Sequence, residues 1–141
     1  SDTHRACRFV ELMPFGSPWR DGIGRLASIE PTGYTRIGPA IRHGSTLLAQ
    51  CQARRRLLVV LTDGKPSDRD RYEGRHGEAD VRHAVREAAR QAVDVLGLGV
   101  DPGANAVLRA MFGSEGSAGL SDPHALCEAL TRAITRRTGS T

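Results

Sequence analysis

Apolar and polar positions along the chain switch between two periods, and the switches lay out the elements. Residues Leu57 to Leu61 form an unbroken apolar run, with Arg54-Arg55-Arg56 before it and Thr62-Asp63-Gly64 after it. A run this short, with two β-branched residues, predicts a strand buried on both faces in the middle of a parallel sheet. Ala92 to Val100 carries Val93, Val95, Leu96, Leu98 and Val100 and predicts a second buried strand. Ala118-Gly119-Leu120 predicts a brief third. Arg5 to Met13 alternates loosely through Phe9, Val10 and Leu12, the pattern of an edge strand.

Between these runs the helical period takes over. Trp19 to Ile29 places Trp19, Ile23, Leu26 and Ala27 on one side of a short helix, weakened by Gly22 and Gly24. A longer helix is expected from about Arg36 to Gln52, with Ile37, Ala40, Ile41, Leu47 and Leu48 available for burial. Pro39 fits only in its first turn, which makes Thr35 the natural N-cap. Glu78 to Gln91 gathers Val81, Ala84, Val85, Ala88 and Ala89 on one face, with two acids in the first turn. Ala104 to Phe112 predicts a short helix. Asp122-Pro123 opens the last one, with Asp122 as N-cap, Pro123 at the first position and a stripe of Leu126, Leu130, Ala133 and Ile134. This alternation predicts an α/β three-layer sandwich with a mostly parallel central sheet, one domain over residues 1–141.

Composition narrows the function classes. Twenty basic residues face sixteen acidic ones, interleaved in most segments, and Lys65 is the only lysine. Aromatics make up 4% of the chain, which denies it the stacking platforms of single-strand nucleic-acid binders. A mixed solvated surface is expected, not a nucleic-acid footprint. Cys7, Cys51 and Cys127 form no CxxC pair, as expected of a reducing, cytoplasmic setting. No apolar run approaches membrane-spanning length, and no signal-peptide pattern is read.

In open α/β sheets the ligand crevice lies outside the carboxyl ends of the strands. Asp63 stands at such an end, where it reads equally as a turn residue or as a ligand. Asp101-Pro102-Gly103 reads as a turn and a helix cap. Ser67 to Gly77 is polar and too long for a tight turn, as functional loops beside a crevice often are. Neither a GxxxxGK[ST] loop nor a GxSxG elbow is present, and His4, His43, His76, His83 and His124 show no tight ligand spacing. A hydroxyl at a helix start (Thr35) and a carboxylate at a strand end (Asp63) suit a hard divalent cation. Two such ligands are too few for a closed site.

Gly33-Tyr34-Thr35-Arg36-Ile37-Gly38 before a helix, then Leu57 through Pro66, then Asp70 to Gly77 and a further helix, together resemble a von Willebrand factor A-type domain. More narrowly, Leu61-Thr62-Asp63-Gly64-Lys65-Pro66-Ser67-Asp68 with Tyr72-Glu73-Gly74-Arg75 downstream resembles the NorD/CbbO group, from about Phe9 to Arg136. The resemblance implies a metal-ion-dependent adhesion site built from a DxSxS loop, a threonine and an aspartate. Thr35 matches the threonine and Asp63 the aspartate. The DxSxS loop has no match, so the first strand, first helix and most of the second strand of the family pattern are expected to be missing. With them go three oxygen ligands, and the isolated chain is expected to bind its metal (Mg²⁺, or Mn²⁺ or Ca²⁺) weakly or not at all.

The family further implies a protein-binding adaptor and not an enzyme. Such a module would couple a MoxR-type AAA+ ATPase to a target enzyme, a nitric oxide reductase or Rubisco. Gly33, Tyr34, Gly64, Lys65 and Arg75 would border the contact surface. Within the same fold a chelatase-subunit-like domain remains an alternative. So does an enzyme using Asp63, and so does a degenerate remnant.

Overall fold

The structure, a computed structural model, describes residues 7–30, 35–63, 74–120 and 122–138. Three parallel strands in the order β1-β2-β3 form the sheet: β1 (Leu57–Thr62), β2 (Asp94–Gly99) and β3 (Ser117–Gly119). β1 pairs with β2 from Leu57 opposite Asp94 to Thr62 opposite Gly99, and β2 pairs with β3 from Gly97 opposite Ser117 to Gly99 opposite Gly119. The helices are α1 (Trp19–Ala27), α2 (Ile37–Ala49), α3 (Gly74–Arg90), α4 (Asn105–Phe112) and α5 (Pro123–Thr138), with a 3₁₀ turn at Pro102–Ala104 before α4. The α/β layering expected from the alternation of periods is therefore what the chain adopts.

The sheet divides the core in two. On one side Ile37 and Ile41 of α2, Val81, Ala84 and Ala88 of α3, and Leu108, Met111 and Phe112 of α4 pack with Val93 and Val95. Leu58 and Val60 close that cluster from β1. On the other side Leu96, Leu98 and Leu120 pack with Ala129 and the half-buried Leu126 and Leu130 of α5. Successive strand residues point to opposite faces, so each strand feeds both layers.

α4 lies on β2 through glycines. A Cβ on Gly97 would overlap the ring of Phe112, one on Gly99 would overlap the tip of Leu108, and one on Gly116 would overlap the Phe112 carbonyl. The Leu-Gly-Leu-Gly run puts two bare positions on one face and two leucines on the other, as a period of two requires. Gly97 also donates its backbone N–H to Gly116 at 2.8 Å, which fixes the turn that leads into β3.

α3 ends in a Schellman motif. The Val93 N–H reaches the Ala88 carbonyl at 3.0 Å and the Ala92 N–H reaches Ala89 at 3.1 Å, while Val93 and Ala88 are both buried. The left-handed residue of the motif is Ala92, at φ 55°. A Cβ at such a φ is unfavourable by about 1 kcal/mol. Ala92→Gly is therefore expected to stabilise the domain by about 1 kcal/mol, read as a raised urea midpoint at unchanged slope.

Several expectations change. Residues 7–13 form no strand: Phe9, Val10 and Met13 are exposed, and Phe9 leans on His43 of α2 with ring centroids 4.1 Å apart. Period-two alternation makes a strand only where a sheet edge is available to pair with it. α1 forms as expected, but its apolar stripe of Trp19, Ile23 and Leu26 faces outward, and only Gly22 is buried, next to Met13. β1 is not buried on both faces. Val59 and Leu61 are exposed, because β1 ends the strand order and α5 reaches only as far as Leu57 on that side. Leu47 of α2 and Ala89 of α3 are exposed, and Gly38, Gly44 and Ser45 take the buried positions by which α2 closes on its neighbours. Gly74 to Gly77, expected as loop, already belong to α3. The rest of that polar loop lies outside the described residues.

Candidate functional site

The carboxyl edge of the sheet collects the chemistry. Beyond Thr62 the Val100 N–H donates to the Thr62 carbonyl at 3.0 Å, and the Leu120 N–H donates to Gly99 at 2.7 Å, so the three strands run out together. Each is followed by an aspartate: Asp63 after β1, Asp101 after β2 and Asp122 after β3.

Two of the three are committed to the backbone. Asp101 accepts from the Gly103 N–H at 2.9 Å and caps the 3₁₀ turn, with Pro102 at its first position. Asp122 accepts from the N–H groups of His124 at 2.7 Å and Ala125 at 3.0 Å, which caps α5 behind Pro123. Both roles are those the sequence suggested. Asp63 differs: it is exposed and makes no hydrogen bond or ion pair among the described residues.

Thr35 precedes α2, separated from its first residue by Arg36. The Arg56 guanidinium donates two hydrogen bonds, 3.2 and 2.8 Å, to the Cys51 carbonyl, which ties the end of α2 to the start of β1. Gly44 then meets β1 at Leu58, whose side chain would stand 3.0 Å from an added Cβ. From that contact the helix runs back about 10 Å to its first residue, Ile37, at 1.5 Å per residue. The strand runs on about 17 Å to Asp63 at 3.3 Å per residue. The two run in opposite directions from that contact, so α2 begins toward the carboxyl end of β1. Thr35 is not the helix N-cap. Arg36 holds that position in an extended conformation with no side-chain cap bond, so the Thr35 hydroxyl lies one residue outside the helix. Pro39, in the first turn as expected, leaves no room for an earlier start.

Of the expected contact residues, Arg75 is exposed in the first turn of α3. Gly33, Tyr34, Gly64 and Lys65 lie outside the described residues. Among the described residues no three His, Cys, Asp or Glu side chains gather as a metal cluster. Thr35 and Asp63 carry hard oxygens of the kind that suit Mg²⁺, and the two alone would make up only part of a coordination sphere.

One structural device escaped the sequence reading. Arg42 on α2 donates at 2.6 Å to Asp80 and at 2.6 Å to Glu87 on α3, and His83 stands 3.1 Å from Glu87. The hydrogen bond it donates to Asp80 raises the guanidinium above its already high titration range, with Glu87 adding to it. Asp80 and Glu87 are seven residues apart, two turns on one helix face, and that spacing was the available signal. The clamp ties α2 to α3. No helix among the described residues is long and apolar enough to cross a membrane.

Comparison with known proteins agrees with the fold. The chain is 44% identical over 117 residues to the NorD protein of Stutzerimonas stutzeri, a stretch covering 82% of this chain and 19% of that protein. It is 47% identical over 94 residues to NorD of Brucella suis, covering 67% and 15% respectively. An uncharacterised protein of Pseudomonas aeruginosa is 45% identical over 95 residues. The chain thus spans less than a fifth of the length of these curated relatives. No solved structure matches. Residues 20–126 match the von Willebrand factor type A domain model, and on that match the chain belongs to the von Willebrand factor type A domain family, of the kind found in NorD proteins.

Proposed function

We propose that this domain is a metal-dependent protein-binding module in an accessory protein for nitric oxide reductase, and not itself a catalyst. The observation that carries the reading is the asymmetry at the carboxyl edge. Asp101 and Asp122 are engaged as caps, while Asp63 is exposed and without a partner among the described residues. A carboxylate held out in water with no partner in the fold suits a hard cation. When bound, Mg²⁺, Mn²⁺ or Ca²⁺ would supply an electrophilic position for a carboxylate of the target protein. Thr35 and Asp63 would hold the ion, and Gly33, Tyr34, Gly64, Lys65 and Arg75 would border the contact.

The similarity to NorD proteins supports nitric oxide reductase as the target over Rubisco. An adaptor of this kind suits coupling to a MoxR-type AAA+ ATPase, which would do the mechanical work on the target. The test is capture of the purified reductase by the full chain, with Mg²⁺ in enough excess to fill a weak site and with EDTA. Retention in Mg²⁺ and release in EDTA is the expected result. Capture that EDTA leaves unchanged would remove the metal from the account.

A further inference from the structure

β3 ends the strand order on the side away from β1, and no strand among the described residues pairs with its outer edge. The Gly116 carbonyl accepts from Gly97 and the Leu120 N–H donates to Gly99, so the backbone of β3 turns to β2 at Gly116, Ala118 and Leu120. In a parallel ladder the residues between them point their N–H and C=O groups the other way. Ser117 and Gly119 therefore present backbone donors and acceptors outward, Ser117 half-buried and Gly119 exposed.

A cleft of about 340 Å³ runs along this edge, lined by Asn105 and Arg109 of α4, by Ser117 and Gly119, and by Ser114 and Glu115 in the turn before β3. Asn105 and Arg109 are four residues apart and share one side of α4. A Cβ on Gly119 would overlap the Asn105 carboxamide, so α4 stands as close to the edge strand here as it does to β2 at Gly97 and Gly99. The Arg109 side chain is exposed and makes no hydrogen bond or ion pair among the described residues, while Glu115 is engaged in an interaction of its own.

We propose that this edge binds an extended acidic segment of a partner protein, which joins the sheet as a strand beyond β3. The site stands on backbone geometry and Arg109, and it does not rest on the metal-dependent reading. The outward N–H and C=O groups supply main-chain bonds, and side chains of the incoming strand alternate between the two faces of the sheet. Those on the α4 face meet Arg109, where a guanidinium without a partner selects a carboxylate through charge-assisted bonds. A second copy of this chain fits less well. Antiparallel pairing of two β3 edges would set two α4 helices over one face about 14 Å apart, three strand spacings, with the Arg109 of each turned toward the other.

The test titrates the full chain, in EDTA so that no metal contributes, with peptides alternating valine and glutamate, followed by amide NMR. One control peptide has glutamine for glutamate. Two others are N-methylated, one at every valine and one at every glutamate. In an added strand alternate N–H groups face β3, so one methylated peptide is expected to lose binding and the other to keep it. The glutamate peptide is expected to shift the Ser117 and Gly119 amide signals and slow their hydrogen exchange. Glutamine for glutamate, or Arg109→Glu, should weaken binding about tenfold or more. Arg54→Glu removes an exposed charge before β1 and should leave it unchanged.

Equal binding of the two methylated peptides would mean that charge alone attracts the segment, and equal losses for Arg109→Glu and Arg54→Glu would take Arg109 out of the site. Either result overturns the proposal. So would sedimentation of the chain as a dimer in which the Ser117 and Gly119 amides are already protected, since the edge would then belong to a second copy.

Discussion

Gly97→Ala is expected to destabilise the domain by about 3 kcal/mol, with a fall in melting temperature of roughly 10 °C. The added Cβ overlaps several atoms of the Phe112 ring, including its attachment carbon. That ring cannot swing away, because Phe112 closes α4 against the sheet and is buried. Against a total stability of about 5–15 kcal/mol, the loss is large enough to populate unfolded chain. Gly99→Ala is expected to cost less, because the obstacle there is a terminal methyl of Leu108, which can turn. Gly116→Ala meets a backbone carbonyl and should rank with Gly97→Ala. Calorimetric melting of the three variants checks the order. A Gly97→Ala/Phe112→Leu double variant should recover part of the loss that Gly97→Ala causes, since the clash and the ring vanish together. If Gly97→Ala melts with the parent protein, α4 does not lie on β2 as described.

Asp63→Ala is expected to reduce Mg²⁺-dependent capture of the target about a hundredfold while leaving the melting temperature within a degree or two. The two halves of that expectation have one cause. Asp63 is exposed and unpaired among the described residues, so folding loses nothing with it. A divalent cation held by few protein ligands loses much of its affinity with its only charged one. Thr35→Ala removes a neutral oxygen and should reduce capture by a smaller factor, about tenfold. Asp101→Ala and Asp122→Ala should show the opposite pattern. Each loses a cap, about 1 kcal/mol of stability, and neither touches Mg²⁺ dependence. Binding of the reductase followed in parallel with melting separates the two classes. Equal effects of Asp63→Ala and Asp101→Ala on capture would mean that the edge acts only through its fold.

Elements with a strong period and clear punctuation were legible in the residues alone. α3 was legible because Val81, Ala84 and Ala88 recur at helical spacing, and α5 because Asp122-Pro123 is a start signal whose chemistry is local. The roles of Asp101 and Asp122 were readable for the same reason: each bonds N–H groups two or three residues away. The tertiary structure alone decided what depends on distant partners. It showed that α1 turns its apolar stripe outward, that Val59 and Leu61 lie exposed, and that residues 7–13 lean on α2 without joining a sheet. It made bare glycines the seat of α4, and it set Asn105 and Arg109 beside the outer edge of β3. A side chain's preference is written in its neighbours along the chain, but its burial is set by whatever packs across from it, and no local pattern carries that information.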